Sequence, residues 1–498
     1  MDETTPLLPD EAIAPVLSND QLDRVSNKDI VSFDPNGDTE NPMDWPKAYK
    51  WGIVALLAFM AFTVTFTCIS VVPIANRIVD DLDHGKPSSS ASILLVTIWE
   101  LGEAAGPLVI APLSEVFGRY PVMNVANVLF IAFTILAALS QTTAVVITAR
   151  ALTGLAVASN VLSPAIIGDM FVSEERGAAM SIVQLAPLIG GSVGPAIAGA
   201  VAQTAGWRQT LWMGAGLAAA CEVMFLTCFR ETYKVPILKR RAGRLRRETG
   251  NAALRTEFDV GDGGHSWQVI WDSVMRPWIV LKSSFVLQVL SLFGSFVFTY
   301  FYIMSTTLPA ILQERYDFTP AATGLAFVTF SIGSLVSVLI CNIFLDRIYI
   351  RLRNKHKGVG QPEYRLPLII IGSILFPTAV ALYGWSTELR LHVSVLLVAV
   401  ILLGCFLMLS FLPLMAYVVD AFGIYSASSV TAVIVTRCLM GTFLPLATEP
   451  LIERFGYGWG FTVLASVSVA MIPIPVAVFK YGYKWRQLSE YTKEQPDR

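Results

Sequence analysis

The sequence predicts an all-α membrane protein of twelve transmembrane helices in two six-helix halves, and three observations carry that prediction. Of the 498 residues, 54% are hydrophobic and only 15% charged, with a mean hydropathy of +0.58, whereas a soluble domain carries roughly 25% charged residues. Apolar runs of about 20 residues, the length a helix needs to cross hydrocarbon while satisfying its own backbone, recur along the chain. Lys and Arg are sorted to one side of those runs.

The predicted spans are 51-75, 91-112, 120-140, 144-170, 178-203 and 208-229, then 277-307, 320-345, 367-386, 392-418, 424-447 and 458-480. Six spans form an N-terminal half (51-229) and six a C-terminal half (277-480), joined by a polar central loop (230-276) that contains KRRAGRLRRETG at 239-250. With both termini placed on the cytoplasmic side, 27 of the 36 Lys and Arg fall inside and six outside, while Arg150, Lys282 and Arg437 lie within spans. Residues 1-50 hold 11 Asp or Glu against 4 Lys or Arg and no apolar stretch, which predicts a disordered cytoplasmic tail rather than a cleaved signal. Residues 481-498 form a second cytoplasmic tail.

Several function classes drop out here. A formal net charge of -2 offers no basic field for nucleic acid, and the basic loop beside the membrane reads as topology and attraction to anionic lipid. All six cysteines (Cys68, Cys221, Cys228, Cys341, Cys405, Cys438) lie in apolar runs and read as packing, not as a disulfide framework or a metal site. No phosphate-binding G-x-x-x-x-G-K-[ST] string occurs, the four histidines sit in loops or at span ends, and no nucleophile-base pair lies at midplane. An enzyme is not expected, nor a cofactor or metal.

What stands out is charge stranded in oil. Glu100 and Glu103, in WELGEAAGP at 99-107, are three residues apart and share a helix face. Each lies about ten residues from either end of its span, hence roughly 15 Å deep. An ionised carboxylate there costs at least a few kcal/mol, which favours proton uptake and makes the pair a candidate proton carrier. The plainer alternative is two acids hydrogen-bonded to a neighbouring helix. Arg150, roughly 10 Å from the outer end of span four, needs an acidic partner or backbone carbonyls, and Glu103 is the expected partner. Arg437, in span eleven, is the lone cation of the second half, suited to contacting substrate or to a salt-bridged core. Phe296 and Tyr300, in FGSFVFTYFYIM at 293-304, are candidates for a cavity accepting flat apolar molecules. At the inner edge, Glu115, Arg119 and Asp169 can form a charge cluster that latches one conformation, or an interfacial salt bridge worth under about 1 kcal/mol.

Two six-helix halves joined by a long loop resemble the major facilitator superfamily, whose halves are parallel repeats packed around a midplane site. APLSEVFGR at 111-119 looks like that family's G-x-L-x-D-x-x-G-R loop, with Glu115, Gly118 and Arg119 in the matching places and Ala111 for the opening Gly. Arg150-x-x-x-Gly154 matches a motif of proton-coupled members, and GGSVGPAIAG at 190-199 resembles the antiporter motif through Gly190, Gly194, Pro195 and Gly199. Asp346-Arg347 stands where a weaker second copy of the loop motif is expected. NPMDWPKAYKW at 41-51, ETYKVPILKRRAGRLRRETG at 231-250, PEYRLP at 362-367 and DAFGIYSAS at 420-428 look like the fungal twelve-span drug:proton antiporters.

That resemblance implies pseudo-symmetric halves and a proton-coupled exporter of small apolar or amphipathic compounds such as drugs, toxins or secondary metabolites. It also implies a gate at Glu115, Gly118, Arg119 and Asp169, and a leak-sealing role for the span-five motif. A proton-coupled nutrient importer, a polyamine exporter and a non-transporting sensor are the rival readings. The expected partners are a small-molecule substrate, protons and the bilayer, with the chain a monomer in the cell membrane. Glu3-x-x-x-Leu7-Leu8, an acidic dileucine-like string, leaves a vacuolar or endosomal membrane as the alternative.

Overall fold

In the computed structural model, residues 30–34, 37–83, 89–258, 266–356 and 360–492 are described. The dileucine-like string at Glu3, Leu7 and Leu8, most of the N-terminal tail, and His84, Lys86 and His265 lie outside them. Span one is Lys47–Leu82, followed by Ser89–Phe117, Arg119–Leu139, Thr143–Met170, Ser173–Thr204 and Trp207–Cys228. The second half runs Phe285–Tyr316, Pro320–Lys355, Pro367–Glu388 and Val393–Phe422, then one helical stretch, Ser426–Arg486, of 61 residues. At 1.5 Å per residue that stretch reaches about 90 Å, three times the hydrocarbon thickness. It turns over through the 3-10 helix Leu444–Ala447 and the non-helical Gly456 (φ 75°), and so supplies spans eleven and twelve. The fold is the expected all-α bundle of two six-helix halves.

Three expectations need correction. Span seven begins at Phe285, not 277, because Ser284 leaves the helical region and its hydroxyl accepts the Leu287 N–H, capping a new helix. The residues before it form a separate helix, Ser266–Ser283, so Lys282 belongs to this surface helix rather than to a span. Its Trp271, Trp278 and Ile279 are exposed, and it packs on spans two and eleven.

The tail is ordered where it approaches the bundle. Trp45 is buried and donates its indole N–H to the Thr39 carbonyl (3.1 Å), and Pro42–Asp44 forms a 3-10 helix capped by Asn41. Ile30–Val31 pairs in parallel with Arg255–Thr256 of the central loop. That loop holds a helix, Lys234–Thr249, whose Arg241 pairs with Asp38 and Arg244 with Glu40 (2.6 Å). At the other terminus, buried Arg486 donates to both carboxylate oxygens of Glu363, at 2.8 and 3.2 Å. The six cysteines are free thiols; Cys228 is exposed and the other five are buried.

The halves join most closely toward the face opposite the termini. Span five meets span eight there, where a Cβ on Gly199 would stand 2.1 Å from the Pro320 carbonyl oxygen, and one on Gly324 only 2.0 Å from that of Pro195. Only hydrogen fits at such contacts. Spans two and eleven form the other seam, tied by Thr97 Oγ1–H donating to the Thr442 carbonyl at 2.9 Å.

Candidate functional site

Span two crosses span four with glycines at the crossing. A Cβ on Gly102 would stand 2.1 Å from the Ala151 carbonyl oxygen, and one on Gly154 would stand 2.2 Å from that of Trp99. This approach turns both carboxylates toward span eleven and away from Arg150, although Glu103 stays within reach of Asn160 further along span four. The expected Glu103–Arg150 pair is therefore not formed. Arg437 Nη2 lies 3.3 Å from Glu103 Oε1 and 3.6 Å from Glu100 Oε2, with its guanidinium 4.5 Å above the Phe298 ring. Tyr302 donates its hydroxyl to Glu100 Oε1 at 2.5 Å. Asn160 donates its amide to Glu103 Oε1 at 3.0 Å.

The two acids are not equivalent. Glu100 is 2% exposed and shut in by span seven, whereas the Glu103 side chain is 15% exposed and its partner Asn160 is exposed. Both acids belong to the first half; Arg437 and Tyr302 belong to the second. The cluster is thus a contact between halves, one turn below the Thr97–Thr442 bond.

Arg150 has another task. Its Nε donates to the Leu95 carbonyl (3.3 Å), and Nη1 and Nη2 donate to those of Thr67 (3.2 Å) and Cys68 (2.8 Å), while Trp99 stacks 4.9 Å from the guanidinium. The first helix of span one ends at Ile69, so the Cys68 carbonyl has no partner within it and that of Thr67 has the hydroxyl of the capping Ser70 at 3.2 Å. Arg150 satisfies them, and its charge suits a helix C-terminus.

Phe296 and Tyr300 do not reach the charge cluster. Tyr300 donates to the Leu464 carbonyl (2.6 Å), accepts from Ser468 (2.8 Å) and stacks edge-on against Phe376, with Phe296 packed beside it. Two residues further on, about 200° around the helix, Phe298 and Tyr302 face Arg437 and the acids. Sequence reasoning missed this pair although both stand in the same aromatic run.

At the edge nearest the termini, Arg119 pairs with Asp169 (3.4 Å), donates to Ser114 and stacks over Tyr233 at 4.6 Å. Glu115 does not join; it is exposed and makes no ion pair among the described residues. Its place is taken by buried Glu231, which accepts the backbone N–H of Arg119 (2.9 Å), Tyr120 (3.2 Å) and Tyr233 (2.9 Å). A carboxylate there caps the N-terminus of span three from 112 residues away. Gly118, at φ 101°, precedes that helix, and a Cβ on it would lie 2.3 Å from Glu231 Oε2.

The second half repeats the arrangement with a different cation. Asp346 pairs with Arg365 (3.0 Å), which also pairs with Asp420; Arg347, the expected counterpart, is exposed. In the span-five motif, a Cβ on Gly190 or Gly194 would press on the span-one backbone at Phe62 and Phe66, whereas Gly199 and Pro195 meet span eight. The motif therefore packs within one half at one end and across the two halves at the other.

Glu100, Glu103 and Cys438 bring ligand atoms within 4.8 Å of one another, a spacing open to a metal ion in principle. Arg437 lies among them, and its permanent charge takes the place a cation would occupy.

Buried acids facing a cation across two repeats are consistent with a transporter, and comparison with known proteins settles the family. A profile of the Major Facilitator Superfamily matches residues 53–445. The chain belongs to that superfamily. Among its relatives, an efflux pump of Floropilus chiversii, radE, is 35% identical over 441 residues, covering 88% of this chain and 81% of that one. The MFS transporter cpaT of Aspergillus oryzae is 32% identical over 466 residues, covering 93% and 92%. Among solved structures, the inward-open xylose transporter XylE from E. coli has a TM-score of 0.64 at 14% identity, covering 86% of this chain and 96% of that one. The human organic anion transporter MFSD10 has 0.60 at 16%, covering 86% and 100%. The structures share the fold; the fungal relatives share the sequence. The superfamily consists of membrane transporters rather than enzymes.

Proposed function

We propose that this superfamily member exports small apolar or amphipathic compounds, such as toxins or secondary metabolites, in exchange for protons. The observation that carries the reading is the lock at the seam: Glu100 and Glu103 of one half held by Arg437 and Tyr302 of the other. With both acids ionised, Arg437 holds the halves together at that seam. A proton on an acid removes its attraction for Arg437; a substrate group that engages the cluster competes for the same contacts. Either one releases the lock, and the empty site does not. That is the condition for obligatory exchange, because a ligand shifts a conformational equilibrium only by its differential affinity for the two states.

Export is the favoured direction because a relative at 35% identity is an efflux pump. One proton entering down 100 mV releases about 2.3 kcal/mol and one pH unit adds roughly 1.4, enough for more than about a hundredfold substrate gradient. The remaining assignments are a monomer in the cell membrane with both termini cytoplasmic, Arg119–Asp169 as the inner latch, and the Gly199 end of span five as a seal against proton leak.

The test is uphill transport of rhodamine 6G in reconstituted vesicles. The parent should concentrate the dye and lose the gradient when a protonophore is added. Glu100→Gln and Glu103→Gln should each abolish uphill movement. Parent-like pumping with an unchanged pH profile in both variants refutes the proton-carrier assignment.

A further inference from the structure

We propose that Glu100 and Glu103 divide the proton's passage between the two faces of the membrane. Glu100 loads from the face opposite the termini, through a vestibule between spans two and seven, and Glu103 unloads toward the terminus face. The inference rests on the proton-carrier reading above and assigns each acid its own side.

The first observation is the pocket on the far face, lined among others by Arg77, Ser92 and Val96 of the first half and by Thr306 and Gln313 of span seven. Ser92, Val96 and Glu100 are four residues apart and descend one face of span two. Tyr302, Thr306 and Gln313 descend one face of span seven in the same way. Both columns therefore end at the Tyr302–Glu100 hydrogen bond, with Val96 about 6 Å of helix rise from Glu100. Beside them Ser305, fully buried one turn from Tyr302, has a hydroxyl without a partner among the described residues. A buried hydroxyl of this kind can receive and pass a proton.

The second observation is that Glu103, one turn nearer the terminus end of span two, is partly exposed where Glu100 is not, and its carboxylate takes a hydrogen bond from exposed Asn160. The third is the bridge between the acids. Their ligand oxygens lie within 4.8 Å of each other, and both contact Arg437 Nη2. The remaining ionisable neighbours are Tyr302 of span seven, Cys438 of span eleven, Cys68 of span one and Arg150 of span four behind them. A proton from water in the vestibule reaches Glu100, directly or by exchange through the Tyr302 hydroxyl. Once protonation has released the Arg437 lock and the halves have moved, Glu103 gives its own proton to water on the terminus side, and a proton then moves from Glu100 to Glu103. Only O–H bonds form and break, and net charge is conserved at each step.

The test needs no substrate. The protein is reconstituted in one orientation, the pH is stepped on one face at a time, and the protonated-carboxyl C=O band is followed by infrared difference spectroscopy. Bands are assigned by their loss in Glu100→Gln and Glu103→Gln. A far-face acid step should raise the Glu100 band first, and a terminus-face step the Glu103 band first. Val96→Phe, which narrows the vestibule, should slow the far-face response at least about tenfold, the effect of ~1.4 kcal/mol on a barrier, and leave the terminus-face response at the parent rate. An unchanged terminus-face response also certifies that the variant is folded. A Glu100 band that answers only to the terminus face, or a far-face response indifferent to Val96→Phe, overturns the division of roles. If neither acid gives a band from either face, the proton-carrier reading itself falls.

Discussion

Two arginines inside the membrane, Arg150 and Arg437, have the same side chain and comparable depth, yet their neighbours give them different work. Arg150 binds three backbone carbonyls, acceptors that never titrate, so its contacts are the same in every protonation state. Arg437 binds two carboxylates from the opposite half, whose attraction for it vanishes when they take up protons. On the exchange proposed above, the chemistry of the acceptor, not the cation, separates a fixture from a switch.

Substitutions at the two sites should expose that contrast. The largest effect is expected for Arg437→Ala, because removing one partner of a buried ion pair costs about 3–5 kcal/mol. It should abolish uphill transport and lower the melting temperature in detergent. Adding Glu100→Gln and Glu103→Gln should recover most of the thermal stability, since no uncompensated charge remains, without restoring transport. Arg150→Gln should cost less, about 1–3 kcal/mol, for carbonyls left partly unsatisfied. It should lower the melting temperature while the pH midpoint of residual transport stays at the parent value. A shifted midpoint would mean that Arg150 also senses the acids.

A smaller effect is expected at the edge nearest the termini. Gly118→Ala adds a Cβ at φ 101° against Glu231 and should destabilise by about 1–3 kcal/mol, the range for a strained backbone position. Combining it with Glu231→Ala should relieve the steric part, so that the double variant loses less than the sum of the singles in a thermal-melt cycle. Smallest is Arg244→Ala, which removes an exposed pair with Glu40. It should leave the melting temperature close to the parent value, and the small difference should shrink further in high salt.

The fold was legible because span number and sidedness are written in run lengths and Lys/Arg placement, which bilayer physics reads directly. Glu100, Glu103 and Arg437 were legible as charges in apolar runs, since such groups are conspicuous one residue at a time. Their pairing was not, because Glu103 and Arg437 are 334 residues apart and meet only through the rotation of two helices in different halves. For the same reason the pattern pointed to Phe296 and Tyr300 when Phe298 and Tyr302 face the site. All four stand in one apolar run, which carries no periodicity to say which face turns inward. Glu231 escaped notice because its partners are backbone N–H groups, which every residue but proline carries and which leave no mark in a sequence. Glu115 was named in its stead by motif position, although its carboxylate points to solvent.

The cap that Glu231 places on span three has a practical corollary for anyone dissecting this molecule. The opening stretch of the connector is structurally the property of the first repeat, since Glu231 seals span three, the helix Lys234–Thr249 grips the tail, and Arg255–Thr256 extends a two-stranded ribbon with it. The helix Ser266–Ser283, in contrast, is joined to span seven through the single capping residue Ser284. A two-gene version, with the repeats produced as separate polypeptides and allowed to reassemble, should therefore be divided between residues 258 and 266. A cut placed just after span six would strip the first piece of its own stopper.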